Sequence, residues 1–231
     1  MTIKLSNQVI YQRIYSAISN RRLLPGTKLS EEKLALAFRV SRTRIREVLQ
    51  RLSQELIVEI HPNRGAFVAT PRQEDISHVF AVRCALERAI TTELAKTSST
   101  SVAQALHKHL ALEVAAREVN DFGSLARLTG DFHVLLADST GNRLFSENLK
   151  RLVALTSLII SQYSDNTSSA CPEDEHSQIV QAIEAGDASL AEQLMIAHLA
   201  HVQSSIHPNE TRTEANFEQI FGLSLGVSQG A

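Results

Sequence analysis

Tryptophan is absent from the 231 residues, aromatic residues make up 5%, and there are 5 prolines and 9 glycines. That is too little aromatic and turn chemistry for an all-β sandwich or barrel, and it favours helices. The two cysteines, Cys84 and Cys171, give neither a disulfide framework nor a cysteine-rich zinc site. No apolar run reaches the roughly 18 residues needed to span a bilayer. The opening stretch, Met1-Thr2-Ile3-Lys4-Leu5-Ser6-Asn7-Gln8, lacks the apolar core of a secretory signal. A cytoplasmic chain without membrane contact is therefore expected. With 43% hydrophobic and 21% charged residues the composition is globular, and at about 150 residues per domain the length suits one or two domains.

The net charge of −2 conceals a division. Residues 1–72 hold 13 lysines and arginines against 5 acidic residues, a balance of +8, whereas the remainder holds 10 against 20, or −10. Chance clustering of surface charge gives such a split about as readily as a polyanion-binding head on an acidic body does. The residues inside the basic part decide between them.

Residues 7–20 carry Val9, Ile10, Ile14, Ala17 and Ile18 at helical spacing. After a turn at Leu24-Pro25-Gly26-Thr27, Ser30-Glu31-Glu32 offers an N-cap with acidic residues in the first turn of a short helix ending near Phe38. Ser41 caps a further helix to about Gln54, with Ile45, Val48, Leu49 and Leu52 as its buried stripe. Leu56–Ile60 reads as a strand, His61–Gly65 as a turn and Ala66–Ala69 as a returning strand. Three helices and a hairpin make a winged helix-turn-helix. Proline in Thr70-Pro71-Arg72 marks the boundary. From there the pattern is helical, near 75–96, 101–119, 122–139, 143–163, 174–185 and 187–206. The expected architecture is mainly α: a head at 1–72, an all-helical antiparallel bundle at 73–206 and a loose tail at 207–231.

In a helix-turn-helix, the second helix lays its N-terminal side chains against base edges in the major groove. Here that helix starts Ser41-Arg42-Thr43-Arg44-Ile45-Arg46. With Ile45 in the core, Arg42, Thr43, Arg44 and Arg46 face outward. Arginine donates two bonds to guanine, while Ser41, Thr43 and the helix-start amides suit phosphate. At the wing tip, Arg64 and Gly65 are placed to meet a backbone or narrow minor groove. A merely solvated basic face fits three arginines in five residues poorly.

The blocks Leu24–Ala35, Val40–Leu49 and Asn63–Val68 resemble, in order and spacing, the GntR family of bacterial transcription regulators. The chain departs from that pattern at several places. A usual glycine in the helix-turn-helix turn is Arg39, another before the wing is Leu56, a frequent proline is Arg44, and a base early in the second helix is Glu32.

Three helices of the body put a histidine on an apolar stripe. His133 lies with Leu125, Leu128, Thr129, Phe132 and Leu136, His176 with Ile179, Val180 and Ile183, and His198 with Leu190, Leu194, Ala197 and His201. A single such histidine reads as a satisfied core group. Three on helices that pack together make a shared site competitive, because imidazole suits zinc, nickel and similar metals. Arg83 falls on the stripe Val79, Val82, Leu86 and Ile90, so its guanidinium points inward and needs an anion. An internal pair with Glu87 and a fork for a ligand carboxylate are both open. Tyr163 is a further candidate for the same pocket.

Glu74-Asp75-Ile76, Val82–Glu87, Asp131-Phe132-His133, Thr140-Gly141-Asn142, Glu175-His176 and Ala185–Ala188, with Met195 and His198, resemble the FCD effector domain of the FadR subgroup. That resemblance implies a metal held by His133, His176 and His198 and by an Asp or Asn four residues before the first. Thr129 stands at that position, leaving three neutral imidazoles and a hydroxyl with no carboxylate to neutralise the metal's charge. A metal-free polar pocket, with the histidines bonding the effector directly, is the rival. The expected protein is a homodimeric regulator, a repressor by the commoner family pattern. It would bind a near-palindromic operator under control of a small organic-acid or amino-acid-like effector, with a divalent metal of the zinc or nickel type. A three-histidine hydrolase is the second reading, disfavoured because no Glu or Asp base stands at a motif spacing beside the histidines. A ligand-free architectural DNA binder is the third.

Overall fold

The computed structural model describes residues 5–97, 99–163 and 174–206. The expected tail at 207–231, the break at 164–172 and Cys171 lie outside the described residues. The described residues form two compact units, one ending at Thr70 and the next beginning at Pro71.

In the first unit, Ser6 caps α1 (Asn7–Ser19) by accepting from the Val9 amide at 3.3 Å. The buried face of α1 is Ile10, Tyr11, Ile14, Ala17 and Ile18. Val9, expected on that face, is 38% exposed. Tyr11 takes the place because its ring lies under the Arg51 guanidinium at 3.9 Å and its hydroxyl donates to Glu55 at 2.5 Å, so both its apolar body and its polar tip are satisfied. Ser30 caps α2 (Glu31–Phe38), accepting from the Lys33 amide. The next helix, α3 (Arg42–Gln54), buries Ile45, Val48, Leu49 and Leu52 as the spacing predicts.

The wing is the antiparallel pair β2 (Val58–His61) and β3 (Gly65–Val68), in register Val58↔Val68 to His61↔Gly65. A two-residue strand, β1 (Lys28–Leu29), pairs with the other side of β3, giving the order β1-β3-β2. It is too short for alternation to reveal, and the sequence reading places only a turn nearby. The strand predicted from Leu56 starts at Val58 because Leu56 has a left-handed backbone, φ 62°. Arg39, which ends α2, is left-handed as well, φ 52°. These are the two positions where the resembling family carries glycine, and the backbone retains the glycine conformation without the glycine.

The second unit is helical throughout: α4 (Gln73–Thr97), α5 (Thr100–Glu118), α6 (Phe122–Ser139), α7 (Arg143–Tyr163), α8 (Glu175–Glu184) and α9 (Ala188–Ser204). Asp121 and Asp187 cap α6 and α9 through their carboxylates. The long α4 runs through the unit and packs on α6, α7, α8 and α9. Phe80, Ile90, Leu94, Phe132, Leu136, Leu149, Ile179, Met195 and Leu199 form one core. The buried stripe of α4 is Ile76, Val79, Phe80, Arg83, Glu87, Ile90 and Leu94. Val82, expected on it, is 49% exposed, since the steps from Arg83 run to Val79 and Phe80 on one side and Glu87 on the other. Among the described residues no helix is long and apolar enough to cross a membrane.

Leu56 is 66% exposed, so little packing opposes its backbone strain. A left-handed non-glycine residue costs about 1–3 kcal/mol, offset in part by the extra unfolded-state freedom of glycine. Leu56→Gly therefore raises the stability of the head by about 1 kcal/mol in urea unfolding of the full chain; a fall in midpoint contradicts the strain assignment.

Candidate nucleic-acid interface and candidate metal centre

The start of α3 presents Ser41, Arg42 and Thr43 to solvent. Ser41 is the N-cap by backbone conformation, but its hydroxyl accepts no helix amide. The three arginines have separate fates. Arg42 is exposed, with Nη2 3.5 Å from Glu31. Arg46 is exposed and forms a forked pair with Glu31, Nε to Oε1 and Nη2 to Oε2, each at 2.8 Å. Arg44 does not point freely outward as expected. Its Nε donates to Asn7 Oδ1 at 2.7 Å and its Nη2 donates to the Leu5 carbonyl. The reason is helical geometry: position 44 borders the stripe through which α3 packs on α1, so a long side chain there reaches the start of α1. Asn7 is held from its other end by Glu47 at 2.8 Å. At the wing tip, Asn63 and Gly65 both have positive φ, and the Arg64 amide closes the turn on the His61 carbonyl. Phe67 on β3 has the Arg64 guanidinium 5.7 Å and the Lys28 ammonium 5.9 Å from its ring centre. Two cations, one from the wing and one from β1, therefore lie near one aromatic ring.

In the helical unit the buried ionisable side chains, Arg83, Glu87, Glu113 and three histidines, gather at one place. His133 from α6, His176 from α8 and His198 from α9 come together, each at most 4% exposed. His198 Nε2 stands 3.2 Å from His133 Nε2 and 3.4 Å from His176 Nε2. The other ring nitrogens face carboxylates. His133 Nδ1 meets Glu87 of α4, His176 Nδ1 meets Glu113 of α5 at 2.9 Å, and His198 Nδ1 meets Glu175 at 2.8 Å. Each carboxylate accepts an Nδ1–H and thereby selects the tautomer whose Nε2 lone pair points inward. Burial lowers His133 to about 4 and His198 well below the ordinary histidine range, which keeps both neutral and able to act as ligands. Burial pushes Glu113 upward, but hydrogen bonds from His109 and His176 outweigh it and hold it at about 2.

These residues fit a metal. Nitrogens bound at about 2.0–2.1 Å around a tetrahedral ion lie about 3.3–3.4 Å apart; His198 Nε2 stands 3.2 and 3.4 Å from its two neighbours, and the ligand atoms of all three histidines lie within 4.8 Å of one another. Among the described residues the ligand group is His133, His176 and His198 alone. Thr129, half-buried, donates its hydroxyl to the Ala126 carbonyl at 3.2 Å. No carboxylate joins the three histidines in that group; Glu87, Glu113 and Glu175 lie instead behind the rings, on the Nδ1 side. A neutral nitrogen set with carboxylates behind it suits zinc, nickel or cobalt rather than magnesium or calcium.

Arg83, 3% exposed, adjoins the same cluster. Its Nε donates to Glu87 Oε1 at 2.7 Å and its Nη1 to Thr156 Oγ1 at 3.3 Å. Its buried Nη2 has no hydrogen-bond partner among the described residues. The internal pair with Glu87 thus exists and still leaves the Nη2 end of the fork over. Burial pushes Glu87 upward, but the Arg83 charge helps bring it down to about 2, so it is ionised. Tyr163, at the end of α7, donates its hydroxyl to the Pro71 carbonyl at 2.9 Å, a use that ties it to the start of the domain rather than to the histidines.

The sequence reading missed Glu113 and Glu175 as partners of the histidines and Glu87 as the link to His133. Signals for two of them were present. Glu113 lies seven residues after Leu106 on the buried face of α5, and Glu87 sits one turn after Arg83. The Glu31–Arg46 pair, 15 residues apart on different helices, left no such trace.

Removing Glu87 would leave a buried guanidinium without its carboxylate. Glu87→Ala is expected to destabilise the helical unit by about 3–5 kcal/mol, read by urea unfolding; a loss below about 1 kcal/mol contradicts the buried-pair geometry.

Residues 6–68 match the description "Bacterial regulatory proteins, gntR family", and residues 78–201 match the FCD domain. The chain is 27% identical over 203 residues to the HTH-type transcriptional repressor RspR of Escherichia coli K12, covering 87% of this chain and 88% of that one. It is 27% identical over 208 residues to the HTH-type transcriptional regulator LutR of Bacillus subtilis, covering 80% and 94%. A GntR structure from Rhodococcus sp. RHA1 shares the fold with a TM-score of 0.76 at 24% identity, covering 94% of this chain and 98% of that one. The relatives are transcription regulators and not enzymes, which removes the hydrolase reading. A winged helix-turn-helix in the first matched segment and an FCD domain over more than half of the chain lead to one conclusion: the protein belongs to the GntR family of bacterial transcription regulators.

Proposed function

We propose that the protein is a homodimeric repressor whose hold on a near-palindromic operator is set by a small organic-acid or amino-acid-like carboxylate bound in the helical domain beside a divalent metal. The observation that carries this reading is the Arg83 guanidinium, buried beside the histidine cluster with Nη2 unpartnered. A buried donor without an acceptor costs about 1–3 kcal/mol, and a carboxylate matches the planar geometry of the remaining N–H groups. His133, His176 and His198 would hold the metal, and when bound it would supply a cationic centre for an anionic ligand. Glu87 accepts from both Arg83 and His133, so it orients the guanidinium and the imidazole together.

On the DNA side, Arg42 and Arg46 would read base edges, with Ser41, Thr43 and the helix-start amides on phosphate and Arg64 and Gly65 at the wing. Arg44 would act by fixing α3 against α1. One head reads few base pairs, and a two-fold dimer joins two such contacts. An effector shifts operator binding only through different affinity for the operator-competent and incompetent arrangements. One of the relatives, RspR, is named a repressor, which supports that sign.

Arg42→Ala or Arg46→Ala should weaken operator binding by about 1–3 kcal/mol with the fold intact; unchanged binding in a gel shift at physiological salt defeats the recognition-helix assignment. Zinc or nickel added to chelator-treated protein should raise the melting temperature, reaching about 2.7 kcal/mol of stabilisation at a hundredfold excess over Kd. His133→Ala should abolish that rise while basal DNA binding persists. A panel of small carboxylates, scored by melting and by release of operator, tests the effector: no response from any, with or without metal, removes the pocket from the account.

A further inference from the structure

The pair between Glu31 and Arg46 lies on a surface where its stabilising effect is small. Arg46 is 55% exposed, and exposed ion pairs contribute only about 0–1 kcal/mol. Its position also opposes DNA binding, since a carboxylate at the mouth of a basic surface repels phosphate. Glu31 is the first residue of α2, where an acidic side chain complements the helix dipole. Glu32 stands at the next position, exposed, and serves that purpose equally well. What distinguishes Glu31 is geometry. Both its oxygens engage Arg46, side-on, through Nε and Nη2. Oε2 also lies 3.5 Å from Arg42 Nη2. A side-on pair leaves the two N–H groups of Nη1 and one of Nη2, which together form the end-on fork that matches guanine O6 and N7. A free arginine samples many rotamers, and freezing them opposes binding; a guanidinium already held in one plane loses less on contact.

We propose that Glu31 is a positioning and specificity-determining residue: it buttresses Arg46, and secondarily Arg42, in a base-reading orientation before DNA arrives, gaining discrimination at the expense of overall attraction to DNA. This rests on the assignment of α3 as the recognition helix.

Charge and geometry predict opposite signs, which makes the role separable. The probes are the duplex most strongly enriched by the wild-type full-length chain from a randomised pool and a scrambled duplex of the same length and composition. Glu32→Ala, which removes a charge without a buttress, should tighten binding to both duplexes alike and leave their ratio unchanged. Glu31→Ala should tighten binding to the scrambled duplex but lower the ratio of specific to non-specific affinity about tenfold. Retained binding to the scrambled duplex certifies a folded head. If Glu31→Ala behaves like Glu32→Ala, or lowers both affinities together, the buttress is disproved. Arg46→Ala separates the two levels of the argument: a ratio unchanged in that variant overturns the recognition-helix assignment itself, whereas loss of the ratio there with none in Glu31→Ala overturns the buttress alone.

Discussion

The polar centre of the helical domain depends on one carboxylate with both oxygens engaged. Glu87 accepts from the Arg83 guanidinium through one and from the His133 imidazole through the other. It is ionised despite full burial because the adjacent cation compensates for the lost water. Without that anion, Arg83 would be an uncompensated interior charge, and His133 would have no acceptor to fix its tautomer. The same device recurs with Glu113 behind His176 and Glu175 behind His198. Three lone pairs then converge at spacings that apolar packing would not produce.

Such a cluster is a poor way to stabilise a bundle. Apolar residues of similar volume often serve as well or better than a buried ion pair. Phe132, stacked on His176 at 3.9 Å between ring centres, shows how the surrounding core accommodates it. The ring supplies apolar contact on the face of the imidazole while the carboxylates handle its edges. A local violation of core-packing rules, surrounded by regular packing, is the pattern expected at a functional site.

The head shows a milder form of the same compromise. Arg39 and Leu56 occupy left-handed positions where glycine would be unstrained, and α3 carries a basic edge against its own apolar stripe. Neighbouring carboxylate and amide groups manage that edge. Glu47 and Asn7 brace the side where Arg44 meets α1, and Glu31 braces the side where Arg42 and Arg46 remain exposed. Arginines two residues apart in sequence therefore have different mechanical roles.

Helix positions, the basic head, the hairpin and the three histidines were all legible in the order of residues, because periodicity, caps and turn chemistry are local properties. Even the two displaced glycines could be seen, and the backbone kept the conformation they would have had. Partnership was not legible. Whether Arg83 met Glu87 or a ligand depended on side chains from α6 and α7. The carboxylates behind the histidines come from α4, α5 and the start of α8, at separations with no fixed period. Arg44 and Arg46 are alike in the chain and differ only because α1 lies on one side and Glu31 on the other. Local sequence sets which way a side chain leaves its helix; only packing decides what it finds there, because the partners are brought by elements distant in the chain.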